Sequence, residues 1–173
     1  MKKNIIFYSI ILGLFVLLKL LVKQADNNDM QFLLSPLSYL ISLFFGEKSI
    51  YSLEMGYFFQ NMNITIDKGC SGFNFWMMSF VLSAFILIQL FGKWWKKLSL
   101  ILLSFCLTYL VTIVVNFSRI VIAIFLQKTP FSFLHGKQIH LLEGGMIYLT
   151  TLVLIYLFLT NYILPVYEKS IES

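Results

Sequence analysis

Apolar residues run along this chain in blocks too long to be one face of a soluble fold. Ile5–Val22, Phe73–Phe91, Leu98–Leu126 and Ile139–Leu164 approach or exceed the roughly 20 residues a helix needs to cross a hydrocarbon core about 30 Å thick. A fifth block, Phe32–Phe45, is shorter and holds Pro36. It reads as a short span or as a re-entrant or interfacial helix. Between the blocks, Gly46–Gly72 places aromatic and β-branched residues in partial alternation, at Tyr51–Phe59 and Asn63–Asp67, with Gln60 and Asn61 as turn candidates. That pattern predicts a small β-hairpin or extended segment outside the membrane. The whole predicts an all-α polytopic membrane protein of four or five transmembrane helices with a small extracytoplasmic extended or β-hairpin segment. Every span must pack against the others, so residues 1–173 are expected to form a single integral-membrane domain.

Composition agrees. The chain is 59% hydrophobic and 12% charged, where a soluble domain carries about 25% charged residues. So few charges cannot cover a soluble core, and two cysteines, Cys70 and Cys106, do not make a disulfide framework. The formal charge of +5 reads as a topology signal and not as a nucleic-acid footprint. Lys2 and Lys3 before Ile5–Val22 resemble a signal peptide. However, Lys19 and Lys23 interrupt the end of the run and no small-x-small cleavage site follows, so an anchor helix is expected. Lys93, Lys96 and Lys97 form the densest basic cluster in a short loop, beside Trp94 and Trp95. The positive-inside rule puts that loop in the cytoplasm, in a multi-pass protein of the cell (inner) membrane. Cys70, the 127–138 loop and His140 then lie at the extracytoplasmic surface, and the Tyr-Glu-Lys tail lies inside. The N-terminus starts outside if Phe32–Phe45 spans and inside if it only dips in.

A charge within a span costs about 2.5–3.5 kcal/mol on insertion scales and is a functional candidate by default. Arg119 is the clearest case. The run Leu98–Leu126 is about 43 Å long as a helix, which puts Arg119 near the outer membrane edge. Snorkelling to water is one reading. A polar cavity is the other, favoured because Asn116 shares a helix face with Arg119 at i, i+3. Cys70 sits in Asp67-Lys-Gly-Cys-Ser-Gly-Phe. Gly69, Ser71 and Gly72 permit a sharp turn and close approach by a substrate backbone, and the helix N-terminus that follows favours a thiolate. A structural cysteine beside a turn is the plain alternative. Cys106, mid-span, reads as packing, and His135 as a solvated loop residue. His140 opens the last span, with Glu143 at i+3 able to orient its imidazole; an interfacial capping role is the alternative. Together, a thiol, an imidazole and a guanidinium are expected at the outer ends of three consecutive spans. Cys and His are the minimal set for thiolate attack on a carbonyl, with Arg or Asn to stabilise the oxyanion or hold a substrate carboxylate. No metal ligand spacing is evident, and no cofactor is expected. A non-enzymatic transport or envelope-assembly protein with an Arg- and Asn-lined cavity is the competing class, and a membrane acyltransferase using His140 as base is a second enzymatic one.

Three of these elements carry a family resemblance. Cys70-Ser-Gly72 before a span, Asn116-x-x-Arg119 late in the next, and His140-x-x-x-Gly144 opening the last are similar to the three signature motifs of the exosortase/archaeosortase family. The resemblance covers roughly 32–157. Among subtypes, the short length and the Gly-Phe-Asn-Phe continuation look most like exosortase K. The resemblance implies a membrane cysteine protease or transpeptidase with a Cys70, Arg119 and His140 catalytic set. Its substrates would be secreted proteins ending in a short motif, a transmembrane helix and a basic cluster. Many relatives have about eight spans, and the spans missing here would precede the motifs.

Overall fold

The structure is a computed structural model that describes residues 4–90, 93–127 and 136–165; for Gln127 and residues 136–143 it describes the backbone alone. Lys2, Lys3, His135 and the Tyr-Glu-Lys tail lie outside the described residues, as do the side chains of His140 and Glu143.

Five helices and a small sheet follow in order: α1 (Ile5–Gln24), α2 (Gln31–Phe45), β1 (Ile50–Ser52), β2 (Gly56–Phe59), β3 (Ile64–Ile66), α3 (Phe73–Leu87), α4 (Trp94–Gln127) and α5 (Gly136–Phe158). A single 3₁₀ turn, Lys68–Cys70, leads into α3, and a π turn, Leu159–Ile163, continues α5. Among the described residues four helices are long and apolar enough to cross a membrane: Ile5–Gln24, Lys68–Leu87, Trp94–Leu126 and Gly144–Ile163. α3 is the most buried of them and forms the centre of the bundle.

Two contacts at opposite ends of α1 set its direction. Lys97 Nζ donates to Asn4 Oδ1, tying the start of α1 to the start of α4. Lys19 Nζ donates to Asn74 Oδ1 at 2.7 Å, tying the end of α1 to the start of α3. One crossing therefore separates Asn4 from Cys70, and α2 makes no crossing. With 15 residues, α2 is about 22 Å long, short of the hydrocarbon thickness. It stays at the Cys70 end, with Leu33, Leu34, Leu37 and Ile41 fully buried and Tyr39 and Leu43 facing outward. Of the two alternatives for the N-terminus, the structure selects the one with Asn4 at the end of the basic loop.

Pro36 lies inside α2 and lacks the N–H that would meet the Phe32 carbonyl. Tyr109 supplies the missing donor from α4, its hydroxyl 2.6 Å from Phe32 O. The sheet is an antiparallel meander, β1-β2-β3, pairing Ile50 with Phe58 and Tyr57 with Ile66. The expected hairpin thus has a third strand, and Gln60 and Asn61 do form the β2–β3 turn. Gly56 (φ +80) sits where a Cβ would lie 2.5 Å from Ile66 O. Phe59 and Ile66 are fully buried in one apolar cluster with α2.

α3 and α4 pack through small and hydroxylated residues, as membrane helices do. Ser104, Thr108, Thr112 and Asn116 recur every four residues along α4, all buried. The first three hydroxyls each donate 2.7 Å to the carbonyl one turn back, so none is an orphan in lipid. Asn27, buried between α1 and α2, donates to Leu53 O and Glu54 O and accepts from the Lys68 N–H at 2.8 Å. It holds the sheet against the turn that carries Cys70.

Two outcomes follow. Single cysteines at Asn4 and Trp95 should label with an impermeant thiol reagent from one face of sealed vesicles, and one at Glu47 from the other. Asn27→Ala, which removes the partner of one part-buried N–H and two carbonyls, should lower stability by about 1 kcal/mol, read as a shifted unfolding midpoint in detergent.

Candidate active site

Cys70 ends its turn with its N–H held by Asp67, through the carbonyl at 2.9 Å and the carboxylate at 3.2 Å. This carboxylate, in a residue the sequence reading left without a role, claims the donor nearest the thiol. Gly72 then caps α3 in the left-handed region (φ +74). A Cβ there would lie 3.1 Å from the Asn116 side chain and 3.2 Å from Thr112 Cγ2. Gly72 therefore serves conformation and close packing together. Ser71 is buried beside it.

Asn116 comes from α4 and is 1% exposed. Its Nδ2 donates to the Cys70 carbonyl at 2.5 Å, and its Oδ1 accepts from the Tyr148 hydroxyl at 2.7 Å. The amide is thus engaged at both ends and positions the cysteine backbone. Tyr148, on α5, also stacks on Phe75 of α3 (centroids 4.7 Å apart) and lies under the Arg119 guanidinium at 5.4 Å. The sequence reading missed Tyr148. Its signal is spacing: positions 140, 144 and 148 fall one turn apart on one face of α5.

Arg119 does not snorkel. It is 7% exposed, and its Nε and Nη2 have no hydrogen-bond partner among the described residues. Gly144 of α5 faces its Cδ and Nη1, and a Cβ on Gly144 would lie 3.3 Å from both. A glycine at that position lets the two helices close over the guanidinium. The Arg119 cation and the Asp67 anion both act electrostatically on the thiol. A cavity of about 230 Å³ opens here, lined in part by Lys68, Ser71, Gly72, Asn74, Arg119 and Tyr148. Cys70 is half-buried at its margin, packed against the core cluster of α2, α3 and the sheet, and its side chain is not part of the cavity wall.

Cys70, Ser71, Gly72, Asn116 and Arg119 therefore meet in one cluster. His140 and Glu143 lie on α5, with position 140 one turn before Gly144; their side chains are outside the described residues. Cys106 is exposed on α4, against the expectation that it packs inside. An apolar bundle surface accepts a thiol as readily as a core does. Gly72→Ala adds a Cβ to a left-handed residue pressed against Asn116, and should cost at least about 1–2 kcal/mol. The same substitution at Gly13, which faces open space, should not destabilise; unfolding midpoints of the two variants provide the comparison.

No curated protein and no solved structure matches the chain. The family model for transmembrane exosortases matches residues 3–157, a span that contains the Cys70 turn, Asn116, Arg119, position 140 and Tyr148. A match over most of the length assigns the family and no particular subtype within it: the chain belongs to the transmembrane exosortases, a family of membrane protein-sorting enzymes.

Proposed function

We propose that the protein is a membrane-embedded cysteine protease or transpeptidase that removes the C-terminal sorting tail of secreted proteins. The observation that carries this reading is the buried guanidinium of Arg119, whose Nε and Nη2 have no hydrogen-bond partner among the described residues, in the cluster that fixes Cys70. A charge buried in this way is kept for an anion that forms or arrives there. The basic Trp94–Lys97 segment lies at the opposite end from Cys70, and the positive-inside rule then assigns the site to the extracytoplasmic face of the inner membrane.

The substrate's tail helix lies in the bilayer beside the enzyme. His140 takes the Cys70 proton, and the thiolate attacks the scissile carbonyl carbon. The negative charge passes to the carbonyl oxygen, which Arg119 stabilises. Asn116 is engaged with Cys70 O and Tyr148, so its part is to hold the nucleophile's backbone. Collapse of the tetrahedral adduct breaks the C–N bond, and the imidazolium protonates the leaving amine. Water or an acceptor amine then attacks the thioester, releasing the thiol and either an acid or a new amide. Glu143, at i+3, orients the imidazole.

The test is tail removal, followed by gel shift on co-expression with a secreted protein ending in a motif, a transmembrane helix and a basic cluster. Cys70→Ala and His140→Ala should abolish it, and Arg119→Lys should lose at least about a hundredfold, because lysine lacks the planar donor fork. Continued cleavage in folded, inserted Cys70→Ala would reject the nucleophile and favour the transport or assembly reading.

A further inference from the structure

The two unpartnered atoms of Arg119 are Nε and Nη2. In a guanidinium these carry parallel N–H groups along one edge, while Nη1, on the other side, faces Gly144. An edge of two parallel donors fits a group with two oxygens about as far apart, a carboxylate or a phosphate, better than it fits a single oxyanion. Arg119 and Lys68 are both in the wall of the cavity, and among the described residues no carboxylate is.

The seam between α1 and α3 also carries an open apolar furrow of about 530 Å³, bordered by Leu12, Phe15 and Val16 on one side and Met78, Leu82 and Phe85 on the other. Val22 and Asn74, which line the cavity, continue along the same helix faces, since Asn74 precedes Met78 by four residues and Val22 follows Phe15 by seven. The Lys19 ammonium is hydrogen-bonded to Asn74 of the cavity wall, and Lys19 stands one turn from Phe15 of the furrow. Beside the α1–α3 pair there is thus a cavity with Arg119 of α4 in its wall, a second cation bonded to that wall, and an apolar furrow.

The geometry points to a phospholipid site: the phosphate in the cavity walled by Arg119, with Lys19 beside it, and one acyl chain in the α1–α3 furrow. A free anion would need no furrow, and a bulk lipid would need no buried guanidinium. A transmembrane peptide helix, about 10 Å wide, would leave the phosphate edge unmet. The site does not depend on the chemistry of Cys70, but it shares Arg119 with the proposed reaction, so a bound lipid and the reaction's oxyanion compete for one edge.

The experiment uses the full chain, delipidated in detergent and titrated with phosphatidylglycerol or with a neutral diglucosyl diacylglycerol of the same acyl chains, with retained lipid counted by native mass spectrometry. One phosphatidylglycerol should be retained per chain and the glycolipid at least tenfold less. Arg119→Gln should lower retention at least tenfold. Val16→Trp and Met78→Trp, both at exposed positions on the furrow, should do the same without disturbing the fold, and they carry the test if Arg119→Gln does not fold. Cys70→Ala should bind as the parent does, whatever its effect on tail removal. Equal retention of the glycolipid would reduce the site to ordinary annular contact. Displacement by inorganic phosphate at the lipid's own concentration would make it a free-anion site. Full retention in Val16→Trp and Met78→Trp would remove the chain from the furrow. Any of the three overturns the proposal.

Discussion

A positive charge is held at the end of a membrane helix with part of its hydrogen-bonding capacity unmet, and the packing around Arg119 is arranged to keep it so. Burying such a group is costly unless something pairs with it. Gly144 opens the space for its stem, Tyr148 places a ring beneath it, and Asn116, one turn away, is occupied elsewhere. None of these neighbours neutralises it. The surrounding elements fix the Cys70 backbone next to it: Asp67 pins the Cys70 N–H, Asn116 the carbonyl, and Gly72 allows the chain to turn straight into α3. Three helices and a turn are thereby locked around one charge.

The non-spanning parts support this arrangement from the side. α2 and the three-stranded sheet bury one apolar cluster against α3 and α4, and Asn27 links that layer to the first residue of the Cys70 turn. The Cys70 loop rests on a platform with its own hydrogen bonds and does not hang from a single helix end.

Much of this was legible in the sequence because its signals are local. Block length gave the spans, glycines around Cys70 gave the turn, and the i, i+3 spacing of Asn116 and Arg119 gave a shared face. The rest depends on contacts between distant residues. Whether α2 crosses is decided by Lys97 meeting Asn4 and Lys19 meeting Asn74, and no window of sequence contains either pair. The length of α4 fits a snorkelling arginine and a buried one equally well, until Gly144 and Tyr148 of the next helix are brought against it. Tyr148 itself looks like an interfacial aromatic in a span rich in them, and only its place a turn beyond Gly144 sets it apart. Cys106 was misread because in lipid an outward thiol meets no penalty, so apolar surroundings in sequence do not distinguish inside from outside.

α4 is unbroken from Trp94 to Gln127, and Arg119 stands about 37 Å along it from the tryptophan pair. That pair anchors one end at the membrane–water boundary, so the helix works as a rigid gauge between the anchor and the pocket. In a bilayer with a core of about 30 Å the pocket clears the hydrocarbon and reaches the headgroup layer, where water is available. In a thicker, more ordered bilayer the same gauge leaves it submerged unless the bundle straightens or the lipid thins. The composition of the surrounding membrane thereby sets how wet this pocket is, with no change in the protein itself.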